Sequence, residues 1–81
     1  MEISATELFL KEFEKIKDKS TKDKLIKHID KILENPEIGK PLTHSLKGER
    51  SVHIKPLRLI YTFENDKIVL LRFEHRKEVY K

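Results

Sequence analysis

The chain has no cysteine, so neither a disulfide framework nor a thiolate metal site is available to it. Tryptophan and glutamine are also missing while Lys, Glu and Ile are abundant, a bias shared with proteins of hyperthermophiles. No apolar run approaches the roughly 20 residues that a membrane span needs. The amino terminus carries no secretory pattern, so a cytoplasmic protein with no membrane partner is expected. The four histidines lack ligand-like spacing and no carboxylate cluster accompanies them, so no metal and no other cofactor is expected. Internal repeats, linkers and low-complexity tracts are absent as well.

What is present is 81 residues, enough for one small domain over 1–81 and too few for a second core. Such a chain buries only about 60% of its unfolded surface. Charged residues make up 40% against 37% hydrophobic, and the apolar ones are patterned enough to fold. The net charge of +4 is unevenly placed. In residues 1–40, nine lysines balance nine acids, whereas residues 41–81 hold five lysines and all four arginines against five acids. Arginine is the side chain best shaped to grip a phosphate, so the asymmetry favours an anionic partner for the second half.

Glu2 and Ile3 read as a short first strand. Ser4 then reads as the N-cap of a helix, with Glu7 completing a capping box and Phe9, Phe13 and Ile16 at helical spacing. Ser20-Thr21-Lys22-Asp23 restarts the pattern, and Leu25, Ile29, Ile32 and Leu33 form the apolar stripe of a second helix edged by Ile26. A break of a few residues predicts a helical hairpin. Its lysines are expected to face water, as are His28 on the helix and His44 in a loop.

Asn35-Pro36-Glu37-Ile38-Gly39-Lys40-Pro41 ends the second helix. Val52 and Ile54 alternate with His53 and Lys55 at the period of a half-buried strand. Pro56 marks an edge, bulge or bend. Leu57 to Phe63 and Ile68 to Phe73 follow as strands, joined by Asn65-Asp66, which suits a two-residue hairpin turn. Tyr61 and Phe63 read as strand core. The expected fold is α+β, in the order β-α-α-β-β-β, with the helical hairpin on one face of a mainly antiparallel four-stranded sheet.

Alternation puts His53 and Lys55 together on the open face, with Arg58 just beyond Pro56. Arg72 interrupts an apolar strand, either at an edge or pointing into the same basic cleft. Arg76 and Tyr80, at i and i+4, project together if the tail coils. The residues His53, Lys55, Arg58, His75, Arg76 and Tyr80 therefore form a candidate set for phosphodiester chemistry.

The order of elements, together with Leu46-Lys47-Gly48, Arg58-Leu59-Ile60-Tyr61 and the terminal His75-Arg76-Lys77-Glu78-Val79-Tyr80, resembles the RelE/ParE superfamily of toxins over nearly the whole chain. The resemblance implies a toxin neutralised by a cognate antitoxin. For RelE-type members it implies a ribosome-dependent endoribonuclease that cuts messenger RNA in the decoding site. Arg58 then matches the arginine near the scissile phosphate, Lys55 a basic residue on the preceding strand, and Tyr80 the tyrosine acting as general base or stacking group. His53 stands where the best-known member has lysine. The tail is shortened, so His75 or Arg76 would take the part of that member's second arginine. Lys47, Arg50, Arg72 and His53 are the further RNA contacts expected.

Metal-free RNA cleavage needs an acceptor for the 2′-hydroxyl proton, a donor to the 5′-oxygen and cations at the phosphoryl oxygens. Histidine can fill either proton role, and tyrosine serves as base where cations stabilise its phenolate. Two alternatives share the fold: a ParE-type gyrase inhibitor and a relative that binds RNA or antitoxin without cleaving.

Overall fold

The computed structural model describes residues 1–42 and 48–75, the last of these by its backbone alone. His44, Lys47, Arg76 and Tyr80 lie outside the described residues. The elements are β1 (Glu2–Ala5), α1 (Glu7–Lys15), α2 (Lys19–Glu34), β2 (Lys40–Pro41), β3 (Glu49–Ile54), β4 (Leu57–Glu64) and β5 (Lys67–His75). They form one sheet of order β1-β5-β4-β3-β2. The expected α+β architecture is present with five strands in place of four. The addition is β2, whose Lys40 and Pro41 pair with Ser51 and Arg50 of β3. Proline is tolerated there because an edge strand needs no inward-donating N–H on its outer side.

Only β1 runs parallel to its neighbour, with Ile3 opposite Ile68 and Ala5 opposite Leu70. That pairing corrects the expected helix start. Ser4 is held in the sheet opposite Val69, and Thr6 caps α1 instead. Its hydroxyl accepts from Phe9 N at 3.0 Å and donates to Leu71 O at 2.6 Å, so one side chain closes the helix and ties it to β5. Helix α2 likewise begins earlier than Ser20: Asp18 is its cap, accepting from Ser20 N and from the Thr21 hydroxyl. The Thr21 bond, ahead of opposing desolvation, holds the Asp18 carboxyl below its ordinary pKa.

Both helices supply one core on one sheet face. Phe9, Leu25 and Ile32 pack with Ile54, Leu57, Leu59, Tyr61, Ile68, Leu70 and Phe73. The rings of Phe9 and Phe73 stack at 4.8 Å. Ile26, at the stripe's edge, stays exposed. Helix α1 is further tied to the sheet by Glu12, which accepts from Phe73 N at 2.9 Å. The Asn65-Asp66 turn has φ of 52° and 64°, the positive pair of a type I′ hairpin.

A bulge explains the irregular β5 pattern. Ile60 faces Arg72 but Tyr61 faces Leu70, so Leu71 is the extra residue. The slip keeps both Phe73 and Leu70 on the core side while sending Arg72 to the opposite face. Among the described residues no helix is long and apolar enough to cross a membrane.

Thr6→Ala should lower unfolding free energy by about 1–2 kcal/mol, since it deletes a cap and a tie to β5 together. Urea denaturation checks this.

Candidate functional site

The sheet face away from the helices carries the charges. His53 lies opposite Arg58 in the β3–β4 register, and Glu74 lies opposite Arg58 in the β4–β5 register. The Arg58 guanidinium donates through Nη2 to Glu74 at 2.6 Å. The other Glu74 oxygen is 3.3 Å from Arg72 Nη2, which also reaches Glu49 at 3.2 Å. A chain Glu49–Arg72–Glu74–Arg58 thus crosses three strands with balanced charge. The hydrogen bond from Arg58, opposed by desolvation and helped by the charges of Arg58 and Arg72, pulls the Glu74 carboxyl below its ordinary pKa. Glu49 is the main cause that holds Arg72 protonated beyond the usual arginine range. Arg58 Nε is buried with no partner among the described residues, a cost that folding alone gives no reason to accept.

Beside this face a groove of about 430 Å³ opens at the edge of β3, where β2 has already ended. His53 and Arg58 line it from the sheet, Lys40 from β2, and His28 with Lys31 from α2. Ile38, Ser51 and Val52 complete the lining, and no described carboxylate takes part. Lys31 and Lys40, which pair with no described carboxylate, thus share a groove with the Glu74-paired Arg58 and with two imidazoles, an arrangement suited to a phosphate-bearing ligand.

The wall between α2 and β2 is pinned from the core. The Tyr61 ring is fully buried, and its hydroxyl donates to Pro36 O at 2.7 Å while accepting from Gly39 N at 2.9 Å. A Cβ at Gly39 would lie 2.7 Å from that hydroxyl, so only glycine fits. Burial, partly offset by the Gly39 N–H, raises the Tyr61 pKa and keeps the phenol neutral.

Of the expected site residues, the structure brings His53 and Arg58 together in the groove. Lys55 is exposed in the turn between β3 and β4. Arg50 is on the opposite sheet face from His53, and its Nη1 donates to the carbonyls of Glu37 and Gly39 at 3.1 and 2.8 Å. It braces the loop and does not join the basic face. Arg72 lies neither at an edge nor free in a basic cleft, because Glu49 and Glu74 hold it. His75 pairs with Leu57 through the backbone at the end of β5. Sequence reasoning left His28 and Lys31 in solvent and did not single out Lys40. Their spacing to the buried α2 stripe was visible, but not which strand edge that flank would meet. Among the described residues no group of three His, Asp or Glu side chains is placed to hold a metal ion.

The fold is thus two helices on one side of an open sheet whose other face carries alternating arginines and glutamates. The sequence profile described as "ParE toxin of type II toxin-antitoxin system, parDE" matches residues 3–80, so the chain belongs to that family. The fold is similar to RelE in the intact RelBE toxin–antitoxin complex of E. coli (TM-score 0.77, 20% identity, 90% of this chain and 93% of that one). It is also similar to a chain of the YoeB dimer of Staphylococcus aureus (TM-score 0.79, 21% identity, 94% and 97%). YafQ from E. coli strain BL21(DE3) aligns with TM-score 0.66 and 26% identity over 98% and 97% of the two chains. Among proteins with curated descriptions, none matches by sequence.

Tyr61→Phe should lower stability by about 1–3 kcal/mol, because Gly39 N–H and Pro36 C=O lose a shared partner. Thermal or urea melts test this. Glu74 titrates lower in the folded than in the unfolded chain, so its pairing stabilises the fold above the unfolded glutamate pKa and is lost as pH falls through the folded value. The stability gap between the parent and Glu74→Gln should therefore be widest near neutrality and shrink on acidification.

Proposed function

We propose that this toxin is a ribosome-dependent endoribonuclease that cuts messenger RNA in the decoding site by metal-independent attack of the 2′-hydroxyl. The observation that carries the reading is the cross-strand pair His53 and Arg58 in a basic groove that no described carboxylate lines. Glu74 occupies one end of the Arg58 guanidinium and shares its charge with Arg72, which orients Arg58 without using all five of its donors. A phosphate would meet Arg58 with Lys55 nearby in the turn. The 2′-oxygen bonds to phosphorus, its proton passes to Tyr80 or His75, and the bond from phosphorus to the 5′-oxygen breaks. His75 or Arg76 protonates that leaving oxygen, giving a 2′,3′-cyclic phosphate and a 5′-hydroxyl. His53 and Lys47 contact the strand. Because the ribosome holds the message unstacked, a shallow groove suffices in so small a domain.

A cognate antitoxin is the second partner, with an acidic or amphipathic segment covering the basic groove. RelBE, to which the fold is similar, is a toxin–antitoxin complex. The matching family is described by ParE, so a gyrase inhibitor that binds protein and cuts no RNA is the rival reading.

In a cell-free translation system the purified toxin should truncate messages at mappable 3′ ends. Arg58→Ala and Tyr80→Ala should each slow cleavage by about 10²-fold or more. Intact messages together with inhibited DNA supercoiling would overturn the nuclease reading in favour of its rival.

A further inference from the structure

We infer that His28 and Lys31 of α2, with Lys40 of β2, form a second phosphate subsite for single-stranded RNA, taking a phosphodiester next to the one at Arg58. This rests on the nuclease reading and extends it to a wall of the groove that belongs to the helical half of the chain. Lys24, His28 and Lys31 recur at i, i+4 and i+7, so they share one flank of α2. His28 Nδ1 lies 2.8 Å from Lys24 O. A carbonyl can only accept, so Nδ1 carries a proton, and Nε2 faces the ligand, donating to a phosphate in the doubly protonated ring. The ring is thereby oriented before anything binds.

The sheet edge makes this flank reachable. Among the described residues β2 pairs only with Arg50 and Ser51, and none of them forms a strand beside Val52 and His53 on that side. A strand of RNA can pass from the open face, over this edge, to α2. Lys40 is set at the lip by the Tyr61 and Arg50 bonds to the adjoining Gly39. Neither Lys31 nor Lys40 forms an ion pair with a described residue, whereas Arg58 and Arg72 both do. Lining space of about 430 Å³ is more than one phosphate fills and falls within the range of small-ligand sites, roughly 300–1,000 Å³. Ile38, 48% exposed, and Val52 add apolar surface between the cations, on which a ribose or base can pack. Cations separated by apolar contact surface fit a nucleotide chain better than a bare anion.

The test uses the full chain and a short fluorescent single-stranded RNA, 2′-O-methylated so that it is not cut. Anisotropy titrations over a range of salt compare the parent with Lys31→Ala/Lys40→Ala, after melts confirm that both are folded. Losing one phosphate contact should reduce the slope of log K against log salt by about 0.7 and weaken binding severalfold. Replacing single phosphates by methylphosphonate should weaken the parent at two neighbouring positions and the double variant at only one. On ribosome-bound message the variant should raise KM and leave kcat unchanged. An unchanged salt slope overturns the subsite, and so does a fall in kcat at constant KM, which would place these lysines in the chemistry. If the parent cleaves no message while the slope still falls, the nuclease reading fails and the anion site stands.

Discussion

Tyr61 connects the parts of this molecule that would otherwise be independent. Its ring fills the centre of the core between the two helices and the sheet, and its hydroxyl reaches out to Pro36 and Gly39. The loop that leaves α2 is therefore positioned by the same side chain that the core must bury. Gly39 permits the approach, Arg50 repeats the grip from the strand beside it, and Lys40 follows directly as the start of β2. The groove wall inherits the rigidity of the core, which is what a site on a loop usually lacks.

The open face obeys a different rule. Its arginines are not a free positive patch, because Glu49 and Glu74 alternate with Arg72 and Arg58 across three strands. These pairs are half-buried, so each contributes modestly to stability. Their consequence is orientation: Glu74 takes one edge of the Arg58 guanidinium and leaves the planar group directed rather than mobile. Positive charge that no described carboxylate pairs lies instead at the sheet edge, on Lys31 and Lys40.

Much of the fold was legible in local pattern. The helical stripe of Leu25, Ile29, Ile32 and Leu33, the period-two run at Val52 and Ile54, and the Asn65-Asp66 turn each depend on neighbours in sequence, so they read directly. Ser4 misled because its capping motif is sound locally but the parallel pairing of β1 with β5 outweighs it. Arg72 was ambiguous because the bulge at Leu71 reverses the side it faces, and nothing in the strand's own residues marks that slip. The missing fifth strand had the same cause: two residues at Lys40–Pro41 have no periodicity to detect.

By itself the sequence determined the element types, the apolar faces and the family resemblance, since these follow from spacing, capping chemistry and motif. It also showed where the net charge lies. Only the tertiary structure decided which charges act together. Arg50 and Arg72, from the basic half, are spent on backbone carbonyls and carboxylates, while His28 and Lys31, from the neutral half, enter the groove with Lys40. The reason is geometric: a helix flank and a strand edge far apart in sequence meet only after the core has packed them on one face of the sheet.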